Sequence, residues 1–263
     1  MKRGHMSLYG VSSVISIDTG KVLDVQIKSK YCHQCTVRKP LSDAIKERQW
    51  IQQHQPNCHK NYEGSSGGME SAAVVEMFCR SQDKYGIRYI KYLGDGDSSS
   101  FKRVLESNPY DCKIEKLECI GHIQKRVGGR LRRLVKEKKG VLLEDGKSLG
   151  GKGRLTLKEI DTLQVYYGKA IRENNNSVDD MKRAIWAIFF HKLSTDKKPM
   201  HSLCPKDGWC QYNTDRNSYK QKHSHPEDAI NEIKPTFRDL ANPELLKKCI
   251  HGKTKIIMKV SII

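Results

Sequence analysis

The sequence predicts a mixed α+β protein in which a small sheet is followed by a helical block, an expectation carried by three observations. Residues 8–17 and 22–27 are two β-branched runs joined by a glycine-containing turn. Residues 69–119 switch between helical and strand periodicity, and residues 122–249 are mostly helical in period around one long loop.

Val11, Val14, Ile15 and Ile17 make the first run a strand. Asp18-Thr19-Gly20-Lys21 turns the chain, and Val22, Leu23, Val25 and Ile27 return it antiparallel. Residues 31–58 carry cysteines and histidines around an amphipathic stretch at 42–52. After the break at Gly64-Ser65-Ser66-Gly67-Gly68, Ala73, Val74, Met77 and Phe78 set a helix over 69–85 that Gly86 ends. Residues 87–93 read as a short strand, 98–108 as a helix and 112–119 as a further strand. A basic helix at 122–139 is expected to break at Gly128-Gly129, and a glycine- and lysine-rich loop covers 145–154. Thr156 and Glu159 form a capping box that opens a helix to about Glu173. Ser177 precedes another helix, over 181–193, that is apolar on most faces. Residues 194–226 are loop-like, 226–249 helical, and the tail 253–263 has neither caps nor turn signals.

Lysine and arginine number 48 against 30 acids, a formal net charge of +18. Basic side chains release counterions condensed on nucleic acid, so such an excess points to a phosphate-rich partner, with a scattered solvated basic surface as the alternative. No stretch approaches the ~20 apolar residues of a membrane span, so no membrane partner is expected. Nine cysteines in a chain whose residues 7–17 are not a signal sequence point to reduced thiols, some of them on metal.

The clearest ligand spacing is Cys32-x2-Cys35 followed by His54-x3-Cys58, two pairs in one short segment as in structural zinc sites. His33 and His59 lie adjacent and are possible substitutes. His201, Cys204 and Cys210, with His223 and His225 downstream, form a looser second set. Asp95-Gly96-Asp97 follows a strand and precedes a serine-started helix, a place for a divalent-cation ligand or, equally, for a turn and helix cap. Cys119 and His122 are half of a zinc site or a buried cysteine and its neighbour. Lys125, Arg126, Arg130, Arg132, Arg133 and Lys136 on the basic helix, with Lys152 and Arg154 in the loop, form the densest positive stretch and read as phosphate contacts.

These blocks also resemble a known family. Lys2-Arg3-Gly4-His5, the run Ile15 to Leu23, Asn61-Tyr62-x-Gly64-Ser65-Ser66-Gly67, Gly94-Asp95-Gly96-Asp97-Ser98 and Lys116-Leu117-Glu118-Cys119-x-Gly121-His122 are similar to the Mutator-like transposase domain abundant in arthropod genomes. Gly150-Gly151-Lys152-Gly153-Arg154-Leu155, the run Trp186 to Asp196, and Cys249-x-His251-Gly252-Lys253-Thr254 continue the likeness, which spans residues 2–254. The resemblance implies an RNase H-like core, a nuclear protein, and an Asp-Asp-Glu triad that holds two Mg²⁺ or Mn²⁺ ions for DNA strand cleavage and joining. It maps the second catalytic Asp to Asp95, with Asp97 as the neighbouring choice, and the family's Cys-x2-His motif to Cys119 and His122.

The resemblance also implies departures. The first Asp belongs to an opening strand before the Lys2-Arg3-Gly4-His5 block, and the Glu to a helix after the His251-Gly252-Lys253-Thr254 block, where residues 255–263 are unrelated. The expectation is therefore an incomplete RNase H-like core over 1–122 with a zinc-binding segment at 31–59. A basic helix and helical insertion follow over 123–252, then a divergent tail at 253–263. Such a chain binds DNA without cutting it, and the missing central strand leaves an exposed sheet edge. Asp18 sits in a turn, and Asp24 on the return strand is the first suspect as a replacement ligand. A non-enzymatic nucleic-acid-binding module or an unselected transposon remnant is the alternative.

Overall fold

The structure, a computed structural model, describes residues 7–94, 98–222, 224–252 and 259–262; Asp95, Asp97 and His223 lie outside them. The chain forms two compact units, Met1–Lys116 with Ile256–Ile263, and Leu117–Lys255.

The first unit contains β1 (Tyr9–Ser16), β2 (Val22–Ser29), α1 (His33–Val37), α2 (Ala44–His54), α3 (Met69–Tyr85), β3 (Tyr89–Leu93), α4 (Ser98–Glu106), β4 (Glu115–Leu117) and β5 (Lys259–Ile262). β1 and β2 form the expected hairpin, Tyr9 opposite Ser29 and Val14 opposite Asp24. α3 packs on this hairpin, with Met69 close enough to Gly10 that a Cβ there would lie 3.0 Å from its sulfur. Val14, Val74, Met77, Phe78, Tyr89 and Tyr92 form the core, and Gly86 ends α3 at φ +67, a left-handed conformation that glycine adopts without strain.

The buried face of β2 is polar. Arg80 on α3 holds Asp24 through two bonds of 2.7 and 2.8 Å, and Lys28 is paired with Glu76. Val11, Val25 and Ile27 are left exposed on the opposite face.

The five-stranded sheet runs in the order β2-β1-β5-β3-β4. The tail therefore differs from expectation: Lys259–Ile262 is a central strand, parallel to β1 and antiparallel to β3. It fills the position where an exposed edge was expected, and pairs with Tyr89, Lys91, Tyr92 and Leu93.

The second unit is helical: α5 (Ile120–Glu137), α6 (Leu157–Glu173), α7 (Val178–Leu193), α8 (Gln211–Thr214), α9 (Glu227–Leu240) and α10 (Pro243–Lys247). Ile123, Val127 and Leu131 of α5 meet Leu163, Tyr167 and Ile171 of α6 and Met181, Ile185 and Phe189 of α7, all buried at helical spacing. α5 is continuous through Gly128 and Gly129, contrary to expectation. A mid-helix glycine costs about 1 kcal/mol relative to alanine, and packing of the apolar face overrides that penalty. At Gly128 the helices also come close: a Cβ there would overlap the Gln164 side chain of α6.

The capping box at α6 forms only by half. Thr156 Oγ1 accepts from the Glu159 amide at 3.1 Å, but the Glu159 carboxylate turns away to Lys192 at 2.7 Å and His225 at 3.1 Å. Burial alone raises the Glu159 pKa, and the bonds from His225 and Lys192 overcome it and hold the carboxyl at about 2.

Candidate metal centres and basic face

Cys32 stands immediately before α1, Cys35 lies within it, His54 is the last residue of α2, and Cys58 follows one turn later. Their ligand atoms lie within 4.8 Å of one another. His54 Nε2 is 3.4 Å from Cys32 Sγ and 3.1 Å from Cys35 Sγ, and Cys35 Sγ is 3.6 Å from Cys58 Sγ. The backbone amides of Cys35 and His59 point at the Cys32 sulfur and bring its pKa down to about 6. His33 and His59 stay outside the group, His33 bonding the Tyr31 hydroxyl at 3.1 Å.

A chain of side chains positions the His54 ring. Asp43 caps α2 by accepting from the Ile45 amide at 2.8 Å, and Trp50 stacks on His54 with centroids 4.5 Å apart. The Arg38 guanidinium covers Trp50 at 3.8 Å and is itself held by Glu47 through bonds of 2.7 and 2.9 Å. Arg38 is thus a structural brace that the sequence did not single out.

A second group joins His191, His201, Cys204 and Cys210, again with all ligand atoms within 4.8 Å. His191 lies in the last turn of α7, inside a segment that reads as apolar core. His225 belongs elsewhere: its Nδ1 faces the Gly153 carbonyl at 3.2 Å and its Nε2 faces Glu159. Burial lowers the His191 pKa to about 4, with His201 beside it adding to the effect.

Cys119 is buried at the residue before α5, with His122 in the first turn, and among the described residues neither joins a Cys/His group. Asp24 is not available to a cation. Besides Arg80 it accepts from the Tyr85 hydroxyl at 3.0 Å and the Val25 amide at 2.9 Å. Burial raises its pKa, but these partners hold the carboxyl below its usual value.

On α5, Lys125, Arg126, Arg130, Arg132, Arg133 and Lys136 are all exposed. Four of them reach acids: Arg126 to Glu118 at 3.1 Å, Arg130 to Asp239 at 3.3 Å, Arg133 to Glu137 at 2.8 Å, and Arg132 to Asp161. Lys152 is exposed on the loop before α6. Arg154 departs from the expected phosphate contact. It is buried, paired with Asp145 and donating to the Ser148 carbonyl at 3.0 Å, so it braces the loop from within.

Fold and site together define a mixed α+β protein with two Cys/His groups that can each hold a metal ion and a basic helical face. The Mutator-like transposase family model matches residues 1–210 of the 263, and the chain belongs to that family. No curated protein and no solved structure matches it.

Proposed function

We propose that the chain is a transposase-derived nuclear protein that grips the DNA backbone through the exposed face of α5 and does not itself cut DNA. One observation carries the DNA reading. Ile120, Ile123, Val127 and Leu131 turn inward, while six basic side chains of the same helix face solvent in a protein of net charge +18. Arg130–Asp239, Arg132–Asp161 and Arg133–Glu137 are exposed ion pairs worth about 0–1 kcal/mol each, so phosphates readily displace these acids.

The absence of cutting is supported by Asp24, the buried acidic side chain of the hairpin, being committed to Arg80 and Tyr85 and so closed to a cation. Two-metal strand transfer needs carboxylates on both ions. The sheet order supports an RNase H-like core with β5 in the place of the opening strand. Its polarity is reversed: β5 is parallel to β1, where an opening strand is antiparallel.

Zinc suits the Cys32, Cys35, His54 and Cys58 group. Three sulfurs and one imidazole are soft to borderline donors, and neighbouring ligand atoms on a tetrahedral zinc stand about 3.3–3.8 Å apart. The spacings of 3.1–3.6 Å approach that, and the 3.6 Å between Cys35 and Cys58 is far from a disulfide.

Binding to duplexes of unrelated sequence, measured against salt, tests the proposal. Lys125→Gln, Lys136→Gln and Lys152→Gln together leave no acid stranded, because no ion pair is seen for these lysines among the described residues. Their loss is expected to flatten the log–log salt slope by up to about 2.7, about 0.9 per phosphate contact. An unchanged slope places the DNA surface elsewhere.

A further inference from the structure

We propose that His191, His201, Cys204 and Cys210 hold a second structural zinc ion, bound through Nδ1 of both imidazoles and the two sulfurs. The site is in the helical unit and shares no residue with the basic face of α5 or with the Cys32 group.

The spacing of the four atoms is the first ground. The Nδ1 atoms are 3.1 Å apart; Cys204 Sγ is 3.6 and 3.9 Å from them, and Cys210 Sγ 4.0 and 3.6 Å. A tetrahedral zinc with two nitrogens and two sulfurs has edges of about 3.3–3.8 Å. Hydrogen bonds satisfy such atoms in pairs, whereas here each nitrogen faces the other nitrogen and both sulfurs. A single cation at the centre satisfies all four lone pairs together.

The second ground is the outward side of His201. Its Nε2 lies 2.8 Å from Ser194 Oγ, a fully buried hydroxyl that also accepts from the Met200 amide at 3.0 Å. A proton on Nε2 donated to this oxygen leaves the Nδ1 lone pair directed into the group, the outer-shell arrangement that fixes the tautomer of a metal-bound histidine. The ring stacks on Tyr212 at 4.1 Å, and Asn213 Nδ2 donates to the carbonyls of Cys204 and Pro205 at 3.2 and 3.1 Å, holding the turn that carries one thiol.

Sulfur and imidazole donors select zinc over Mg²⁺ or Ca²⁺, and four protein ligands close the tetrahedron, so the ion is structural. Its work is visible in the fold. Residues 194–226 contain a single short helix, α8, among the described residues. The buried apolar cluster at their centre is small, Ala187 with the two cysteines and the partly buried Leu203 and Tyr212, so an ion would take the place of a larger core there.

Cobalt(II) titrated into the metal-free full-length chain tests the assignment, because tetrahedral Co²⁺ with thiolates gives a charge-transfer band that grows with the number of sulfurs. Two equivalents are expected to bind. The Cys32→Ser/Cys35→Ser chain should keep one equivalent with a two-thiolate band. In that background His191→Ala should abolish the tetrahedral spectrum, whereas His191→Cys should retain the ion and raise the band to three thiolates. Ser194→Ala, which leaves all four ligands in place, should weaken the affinity 10- to 100-fold. The assignment is overturned if the Cys32→Ser/Cys35→Ser chain shows no tetrahedral Co²⁺, or if His191→Cys leaves the band unchanged. A wild-type chain with one equivalent that survives Cys32→Ser/Cys35→Ser overturns the first centre and leaves this one standing.

Discussion

Replacing Cys32 and Cys35 together by serine is expected to remove one equivalent of zinc from the purified chain and to unfold residues 31–59. This segment has little else to hold it. α1 buries no side chain, and α2 buries only the ligand His54. Isolated helices shorter than about 12–15 residues are marginal in water, and these have five and eleven. The Arg38–Trp50–His54 stack positions one ligand but shields little apolar surface. Structural zinc contributes about 10–16 kcal/mol of apparent binding free energy in small domains, so its loss dominates every other local effect. Zinc content and hydrogen exchange measure the outcome. The amides of 31–59 should lose protection while those of the β1–β2 hairpin keep it. Unchanged zinc in the double variant would sink the assignment.

Deleting residues 259–263 should have the second large effect, destabilising the sheet unit by several kcal/mol. β5 lies between β1 and β3, so its removal opens two edges at once. Tyr89, Tyr92 and Leu93 are fully or almost fully buried, and the backbone that carries them pairs with β5. A buried amide or carbonyl left without a partner costs about 1–3 kcal/mol, and water entering to satisfy it also wets the core beside Phe78. A chain ending at residue 258 should melt well below the full chain and show fast exchange at β3. Equal melting would mean that β5 contributes nothing to the sheet.

The first Cys/His group was legible in the sequence because each ligand pair is local, with two residues between Cys32 and Cys35 and three between His54 and Cys58. The hairpin, the α3 stop at Gly86, and the caps at Thr156 and Ser177 were legible for the same reason: each is decided within four or five residues. What failed depended on distant partners. His191 looked like one more residue of an apolar helix, and only the return of residues 194–210 brings two thiols and a second imidazole to it. Glu159 completes a capping box on paper, yet Lys192 and His225 from elsewhere in the helical unit draw it away. Arg154 sits in a lysine-rich loop that reads as a phosphate contact, and Asp145 within that loop takes it inside. Gly128 and Gly129 looked like a break because the packing that outweighs their propensity comes from α6 and α7. The tail's β-branched run suits a strand, but its place at the centre of the sheet is set by partners more than 160 residues earlier.

The most direct test of the account is one incubation: the full chain with a long duplex of arbitrary sequence, Mg²⁺ or Mn²⁺ at low salt, assayed both for complex formation and for nicks. The expected result is a complex that dissolves steeply as salt rises, weakened by the three lysine substitutions, and DNA that stays intact throughout. Metal-dependent nicking that disappears in Asp95→Ala would contradict it, because Asp95 would then be acting with other carboxylates as a working metal site.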